Sequence, residues 1–272
     1  TVTATSNNGC VGDPFTVSAT VRPEPRGFAD NSPLICSDDA VAYDLNLNIA
    51  NVGSGGNNLT AGTTYSWIAA NHASVGGEST VAQSGTIITD VLNNVTSANQ
   101  IVVYTVTPTS AQGCVGDPFT VSVTVRPEPR GFNDVSPVIC SNATVNYILS
   151  TNIANTGSGG NNLVAGTTYE WLAADNTNVT GETLAPTLTG TITDVLVNVT
   201  SANQVVVYTI TPTSTDGCVG NPFTVSVTVR PQPIGAADVD AVCSDEAISY
   251  NIQTRNINLL GNSVNSQFTY TV

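Results

Sequence analysis

Residues 113–132 read GCVGDPFTVSVTVRPEPRGF. Within this stretch Phe119, Val121, Val123 and Val125 alternate with Thr120, Ser122 and Thr124. A period of two is the pattern of a strand with one face in a core and the other in water. The stretch also stands at 9–28, with Ala19 in place of Val123, and more loosely at 217–236 as GCVGNPFTVSVTVRPQPIGA. The copies are 104 residues apart, too long for a solenoid turn and about right for one independent domain. The chain therefore reads as a cut from a tandem array. Residues 1–22 are the C-terminal strands of a truncated repeat, 23–126 and 127–230 are complete repeats, and 231–272 are the N-terminal part of a further truncated one.

Composition narrows the classes. Charged residues are 10% of the chain, lysine is absent, and Thr, Ser, Asn, Val and Gly dominate, as in strands joined by short polar turns. A net charge of −14 argues against nucleic acid and anionic membrane surfaces as partners. No apolar run reaches the 18 residues of a bilayer span.

Further alternating runs fill the repeat. Val41, Tyr43, Leu45, Leu47 and Ile49 predict a strand over 41–49, followed by TTYSWIAA at 63–70, GTIITDVLNNV at 85–95 and QIVVYTVTP at 100–108. Clusters of Gly, Asn, Ser and Pro separate them, among them GSGGNN at 53–58. Six or seven short strands per repeat predict an antiparallel, immunoglobulin-like β-sandwich, repeated along an extended rod. Tyr65 and Trp67, and likewise Tyr169 and Trp171, share a strand face and are assigned to the core. A sugar-stacking platform is the competing role for these rings.

Six cysteines fall at two places per repeat: Cys10, Cys114 and Cys218 follow a glycine, while Cys36, Cys140 and Cys243 sit in I/V-C-S. Such spacing points to disulfides in an oxidising compartment, with zinc disfavoured because His72 is not repeated at Asn176. In an immunoglobulin-type sandwich the loop before the last strand lies at the pole where the chain enters. That predicts Cys36–Cys114 and Cys140–Cys218, with Cys10 and Cys243 unpaired through truncation.

Each repeat ends in a proline-stiffened joint, with prolines at Pro23 and Pro25, Pro127 and Pro129, and Pro231 and Pro233. Five of the six arginines lie there: Arg22, Arg26, Arg126, Arg130 and Arg230. They are expected to clamp the joint by pairing with carboxylates or carbonyls of adjacent domains.

The succession I-C-S…Y-x-L, T-T-Y-x-W, T-x-T-D-V-L-x-N-V-T, V-V-Y-T-V-T-P-T-S…G-C-V-G-x-P-F-T-V resembles the PKD-like repeats of very large Bacteroidetes surface proteins. These include adhesins exported by the type IX system and linked to gliding motility. The resemblance covers essentially the whole chain and implies an immunoglobulin-like fold, an extracellular cell-surface location and a stalk or adhesive role. It supplies no catalytic residues. The last fragment departs from the pattern, because Val272 falls where Trp67 and Trp171 stand.

Other sites are weaker. Calcium would suit Asp13, Asp117, Asp38-Asp39 and the stretch Asp238 to Asp245. No D-x-[DN]-x-[DN]-G loop exists, however, and Asp38-Asp39 becomes Asn142-Ala143 in the next repeat. No cofactor is therefore assigned. Glu78 and Glu182 recur in G-E-[ST], a pattern that suits surface turns better than a glycosidase pair. Sequons stand at Asn58, Asn94, Asn142, Asn178 and Asn198. The reading is a non-enzymatic stalk or filament segment whose partners are neighbouring repeats, with like chains in a fibre or surface glycans as further candidates. The alternative is a carbohydrate-binding or accessory module of a secreted polysaccharide-degrading enzyme.

Overall fold

A computed structural model describes residues 1–50, 61–153 and 164–271. The 53–58 turn, the sequon at Asn58 and Val272 lie outside the described residues. The fold is all-β, with two tandem immunoglobulin-like sandwiches. The main sheet of the first unit contains β1 (Leu34–Cys36), β2 (Thr64–Ala69), β3 (Gln83–Ser84), β4 (Gln100–Thr109) and β5 (Phe119–Arg126). They are ordered β1-β5-β4-β2-β3. The second unit repeats this with β6 (Val138–Cys140), β7 (Thr168–Ala173), β8 (Thr187–Leu188), β9 (Gln204–Thr213) and β10 (Phe223–Arg230). Short ladders such as Tyr43–Asp44 with Ile87–Ile88 form the opposing layer.

Alternation decides the faces. In β5 Phe119, Val121, Val123 and Val125 are buried while the residues between them are half-buried. They meet Trp67 and Tyr65 from β2 and Val102, Tyr104 and Val106 from β4 in one cluster. Trp67 packs edge-on against Tyr104 with ring centroids 5.8 Å apart, and Trp171 meets Tyr208 the same way at 5.6 Å. Such edge-to-face aromatic pairs add modestly to the burial of their large apolar area.

Two features depart from the sequence reading. The pairing is not purely antiparallel, because β1 runs parallel to β5 with Leu34 opposite Thr124 and Cys36 opposite Arg126. The same register joins β6 to β10. Residues 41–49 are also not one strand: after Tyr43–Asp44 the chain turns into helix α1 (Leu45–Ala50). Leu45 and Ile49, four apart, are buried, whereas Leu47 is 70% exposed. The helical face thus prevails over the alternation that Leu45, Leu47 and Ile49 equally satisfy. Buried Asn48 explains the turn: its side chain accepts from Phe28 N and donates to Phe28 O and to the Tyr43 hydroxyl.

Two recurring polar residues are structural. Asp90 is buried and accepts from Ser79 N, Ser79 Oγ and the Tyr104 hydroxyl, and Asp194 does the same for Thr183 and Tyr208. Burial and the adjacent Asp carboxylates push both Tyr104 and Tyr208 well above the usual phenol range. Asn198 is 1% exposed. Its amide donates to Ala202 O at 2.7 Å and Val229 O at 2.9 Å, and its carbonyl accepts from Thr200 N and Oγ1. Asn94 does the same in the first unit, so both of these sequons are internal braces.

Asn198→Ala removes the side-chain donors to two carbonyls and is expected to destabilise the chain by about 2–3 kcal/mol. Asn178→Ala, at an exposed sequon, is expected to stay within about 0.5 kcal/mol of the parent. Urea unfolding followed by circular dichroism separates the two; equal effects would overturn the bracing role.

Candidate functional site at the joint between repeats

The chain leaves the first unit at Arg126 and crosses into the second through Pro127, Glu128 and Pro129, all three buried. Proline fixes φ and withholds a donor, so the segment stays extended and its neighbours supply the packing. The Pro129 carbonyl lies so close to Gly220 that a Cβ there would collide with it. Pro25 stands against Gly116 in the same manner. The hairpin before the last strand of each unit therefore seats on the proline segment that precedes that unit.

The arginines divide the task. Arg126 Nη1 donates to Asp216 O at 3.2 Å, and Arg22 Nη1 donates to Gln112 O at 3.4 Å, the equivalent contact one repeat earlier. Arg130 Nη2 lies 2.7 Å from Asp38 Oδ2 of the first unit and 3.5 Å from Glu128 Oε1. Arg26 is 3.7 Å from both Glu24 and Asp117, on a more exposed surface. Arg230 ends β10 opposite Cys140, with Pro231 half-buried and Pro233 exposed.

Glu128 is 5% exposed. Burial pushes its carboxyl up to about 7, helped by the hydrogen bond and charge of Asp38 and the charge of Asp39, and opposed by Arg130. Asp38 and Asn142 both sit at positive φ, 64° and 70°, a conformation that Asp and Asn tolerate. The third joint drops its charges in concert: Asn142 replaces Asp38, Gln232 replaces Glu128 and Ile234 replaces Arg130.

The disulfide crosses this joint. Cys36 is bonded to Cys218, with Cα atoms 5.5 Å apart and a separation of 182 residues in sequence. The expected Cys36–Cys114 and Cys140–Cys218 bridges are not formed, and Cys10, Cys114, Cys140 and Cys243 are free thiols. The parallel pairing of β1 is the reason. It carries Cys36 to the exit end of β5, beside Arg126, while Cys114 precedes the start of that strand. Eight residues of strand separate the two ends by roughly 26 Å, and bonded cysteines need Cα atoms within about 7 Å. Sequence reasoning missed this because β1 is only three residues long and carries no periodicity.

Other candidate groups serve the scaffold. Tyr65, Trp67, Tyr169 and Trp171 are all buried, which leaves them no face for sugar stacking. Glu78 accepts from His72 N and Glu182 from Asn176 N, bracing equivalent loops. A groove of about 440 Å³ passes Phe28, Asp30 and Tyr43, and there the Tyr43 hydroxyl donates to Asp30 at 2.6 Å. Among the described residues no group of three or more His, Cys, Asp or Glu converges to hold a metal ion. Among the described residues no helix is long and apolar enough to cross a membrane.

Comparison with solved structures finds similarity to SGBP-B of the Bacteroides ovatus mixed-linkage glucan utilization locus, solved with a mixed-linkage heptasaccharide. Identity is 14%, coverage is 80% of this chain and 47% of that one, and the TM-score is 0.23. A SusE-like surface located polysaccharide binding protein from the Bacteroides thetaiotaomicron heparin utilisation locus is 11% identical. That alignment covers 75% of this chain and 33% of that one, with a TM-score of 0.28. An I-band fragment of titin is 12% identical over 76% of this chain and 65% of that one, at a TM-score of 0.27. The chain thus spans less than half the length of each of the two Bacteroides proteins. No curated protein matches the chain. The family model described as "PKD-like domain" matches twice, over residues 33–129 and 137–233, one match for each sandwich. By that double match the chain belongs to the PKD-like domain family.

Proposed function

We propose that the chain is a stalk segment of a long bacterial cell-surface protein, built from the units 23–126 and 127–230 and serving to space or present adhesive parts. The observation that carries this reading is the closed joint. Buried Pro127, Glu128 and Pro129, the Arg126 and Arg130 contacts and the Cys36–Cys218 bond hold one sandwich against the next. Energy placed in an interdomain contact fixes length and direction, and ordinary interdomain contacts within a chain leave relative motion as the default. The concerted exchange of Asp38, Glu128 and Arg130 for Asn142, Gln232 and Ile234 supports the same reading, since residues of adjacent units change together. The resemblance of the repeat motifs to type IX-exported, gliding-associated adhesins suggests the class of parent protein. An acidic surface also discourages near-identical neighbours from associating wrongly.

Small-angle scattering of the full oxidised chain is expected to describe one rigid particle whose maximum dimension does not change with salt. Gly220→Ala, which places a Cβ into the Pro129 carbonyl, is expected to broaden the interdomain distances. A broad distribution already in the parent would overturn the spacer. Saturable binding of a polysaccharide by the full chain on a glycan array would instead favour a carbohydrate-binding module.

The joint is also expected to respond to pH. The Glu128 carboxyl lies near 7 in the folded joint, against an ordinary 4.5. The docked form therefore holds the proton more tightly than the open form. Its contribution is full below about pH 4.5, declines as pH rises to about 7 and is lost above. Thermal unfolding at pH 5 and pH 8 should show a larger fall for the parent than for Glu128→Gln, which keeps the shape and removes the titration. An equal fall in both would show that Glu128 is not the responsive group.

A further inference from the structure

We propose that the Cys36–Cys218 bridge is one rung of a ladder that recurs at every joint of this repeat, with Cys114 and Cys140 as open halves of the rungs on either side. The occupant of each open half is another copy of the repeat. Cys140 takes the G-C-V-G cysteine of the unit that follows, and Cys114 takes the I-C-S cysteine of the unit that precedes.

Three placements carry the argument. Cys140 stands at the end of β6 opposite Arg230, as Cys36 stands at the end of β1 opposite Arg126. Cys114 and Cys218 are presented on the same hairpin. Cys114 N donates to Ser110 Oγ at 3.0 Å and Ser110 N donates to Cys114 O, and Cys218 repeats both contacts with Ser214. The docking of that hairpin on the proline segment also recurs, through Gly116 on Pro25 with Arg22 on Gln112, and Gly220 on Pro129 with Arg126 on Asp216. Cys218, whose partner is in place, is fully buried, whereas Cys114 is half-exposed and Cys140 exposed. Neither free thiol has a partner within its own unit, because the two cysteines of a unit lie at opposite ends of the last strand.

Closing a rung breaks two S–H bonds and forms one S–S bond. Two protons and two electrons pass to a disulfide donor, a low-molecular-weight or protein disulfide, which leaves as two thiols. Each rung spans 182 residues while the repeat is 104, so successive rungs overlap. Tension along such an array passes through the sulfurs, and the 182-residue loop behind a single rung, roughly 600 Å of backbone contour, stays out of reach even if a sandwich opens. This inference stands on the joint geometry and is independent of what the array presents.

The test uses the full chain with a second copy of residues 131–234 inserted after Ile234, which keeps the native Gln232–Ile234 joint beside Asn142. The longer chain is refolded with oxidised and reduced glutathione, blocked with iodoacetamide and mapped by mass spectrometry without reduction. The expected result is Cys36 bonded to Cys218, and Cys140 bonded to the inserted copy's counterpart of Cys218 with complete loss of alkylation at Cys140. Alkylated Cys140, or an inserted unit bridged within itself, would overturn the ladder. Cys36→Ser in the same longer chain is expected to expose Cys218 to alkylation and leave the Cys140 bridge intact. A Cys140–Cys218 bond appearing there would show pairing within the unit and overturn it equally.

Discussion

The parallel pairing of Leu34–Cys36 with the end of Phe119–Arg126 is the constraint on which the joint depends. A unit whose first strand ran antiparallel to its last would place Cys36 and the turn after it at the far pole, away from the next unit. Parallel pairing instead brings three things to one end: the exit of the chain at Arg126, the cysteine, and the Asp38-Asp39 turn. The next unit then finds a surface made from both ends of its neighbour's sequence. Ser37 N, donating to Arg126 O at 2.9 Å, closes that surface.

Buried charge at this surface is a trade between specificity and stability. Glu128 sits beside two like charges and one opposite charge, and its Oε1 has no hydrogen-bond partner. Burying a carboxylate in this way is unfavourable unless it is paired or protonated. The third joint avoids the problem with Gln232 and Ile234, and Asn142 keeps the positive-φ turn that Asp38 makes while dropping its charge. A unit ending in Glu-Pro-Arg suits a neighbour that offers Asp38, and one ending in Gln-Pro-Ile suits a neighbour that offers Asn142. Exchanging one side alone would leave Arg130 without its nearer carboxylate or Asp38 without its cation.

The core was legible in the sequence because long strands bury alternate residues. Phe119 to Val125, Tyr65 with Trp67, and Val102 to Val106 declared their faces by period alone. Three features were not legible, each for a physical reason. Leu45, Leu47 and Ile49 read as a strand, while Leu45 and Ile49 alone also fit one face of a short helix, and the Asn48 contacts with Phe28 and Tyr43 favour the helix. Asn94 and Asn198 read as sequons because Asn-x-Thr is also the pattern of a side chain folding back onto a turn two residues on. The direction of β1 is set by tertiary pairing, and three residues cannot encode it. The cysteine partners follow that direction, so a sound distance argument applied to the wrong pole predicted the wrong bond.

The distribution of identity between copies follows from the same joint. Residues 9–28 and 113–132 differ at one position, and where 217–236 departs from them at the joint, with Gln232 and Ile234, the facing turn departs as well, with Asn142 in place of Asp38. That conserved block comprises the cysteine hairpin, the last strand and the proline segment. Its two ends meet different neighbours: the hairpin seats against the preceding joint, and the prolines receive the hairpin of the following unit. A change at either end must be matched in another copy, whereas a change in the body must only fit its own core. Ala19 in place of Val123 illustrates the freer case, since Val123 is a buried core position and touches neither neighbour. Matched change at the joints and latitude between them is what a chain of mutually seated units requires.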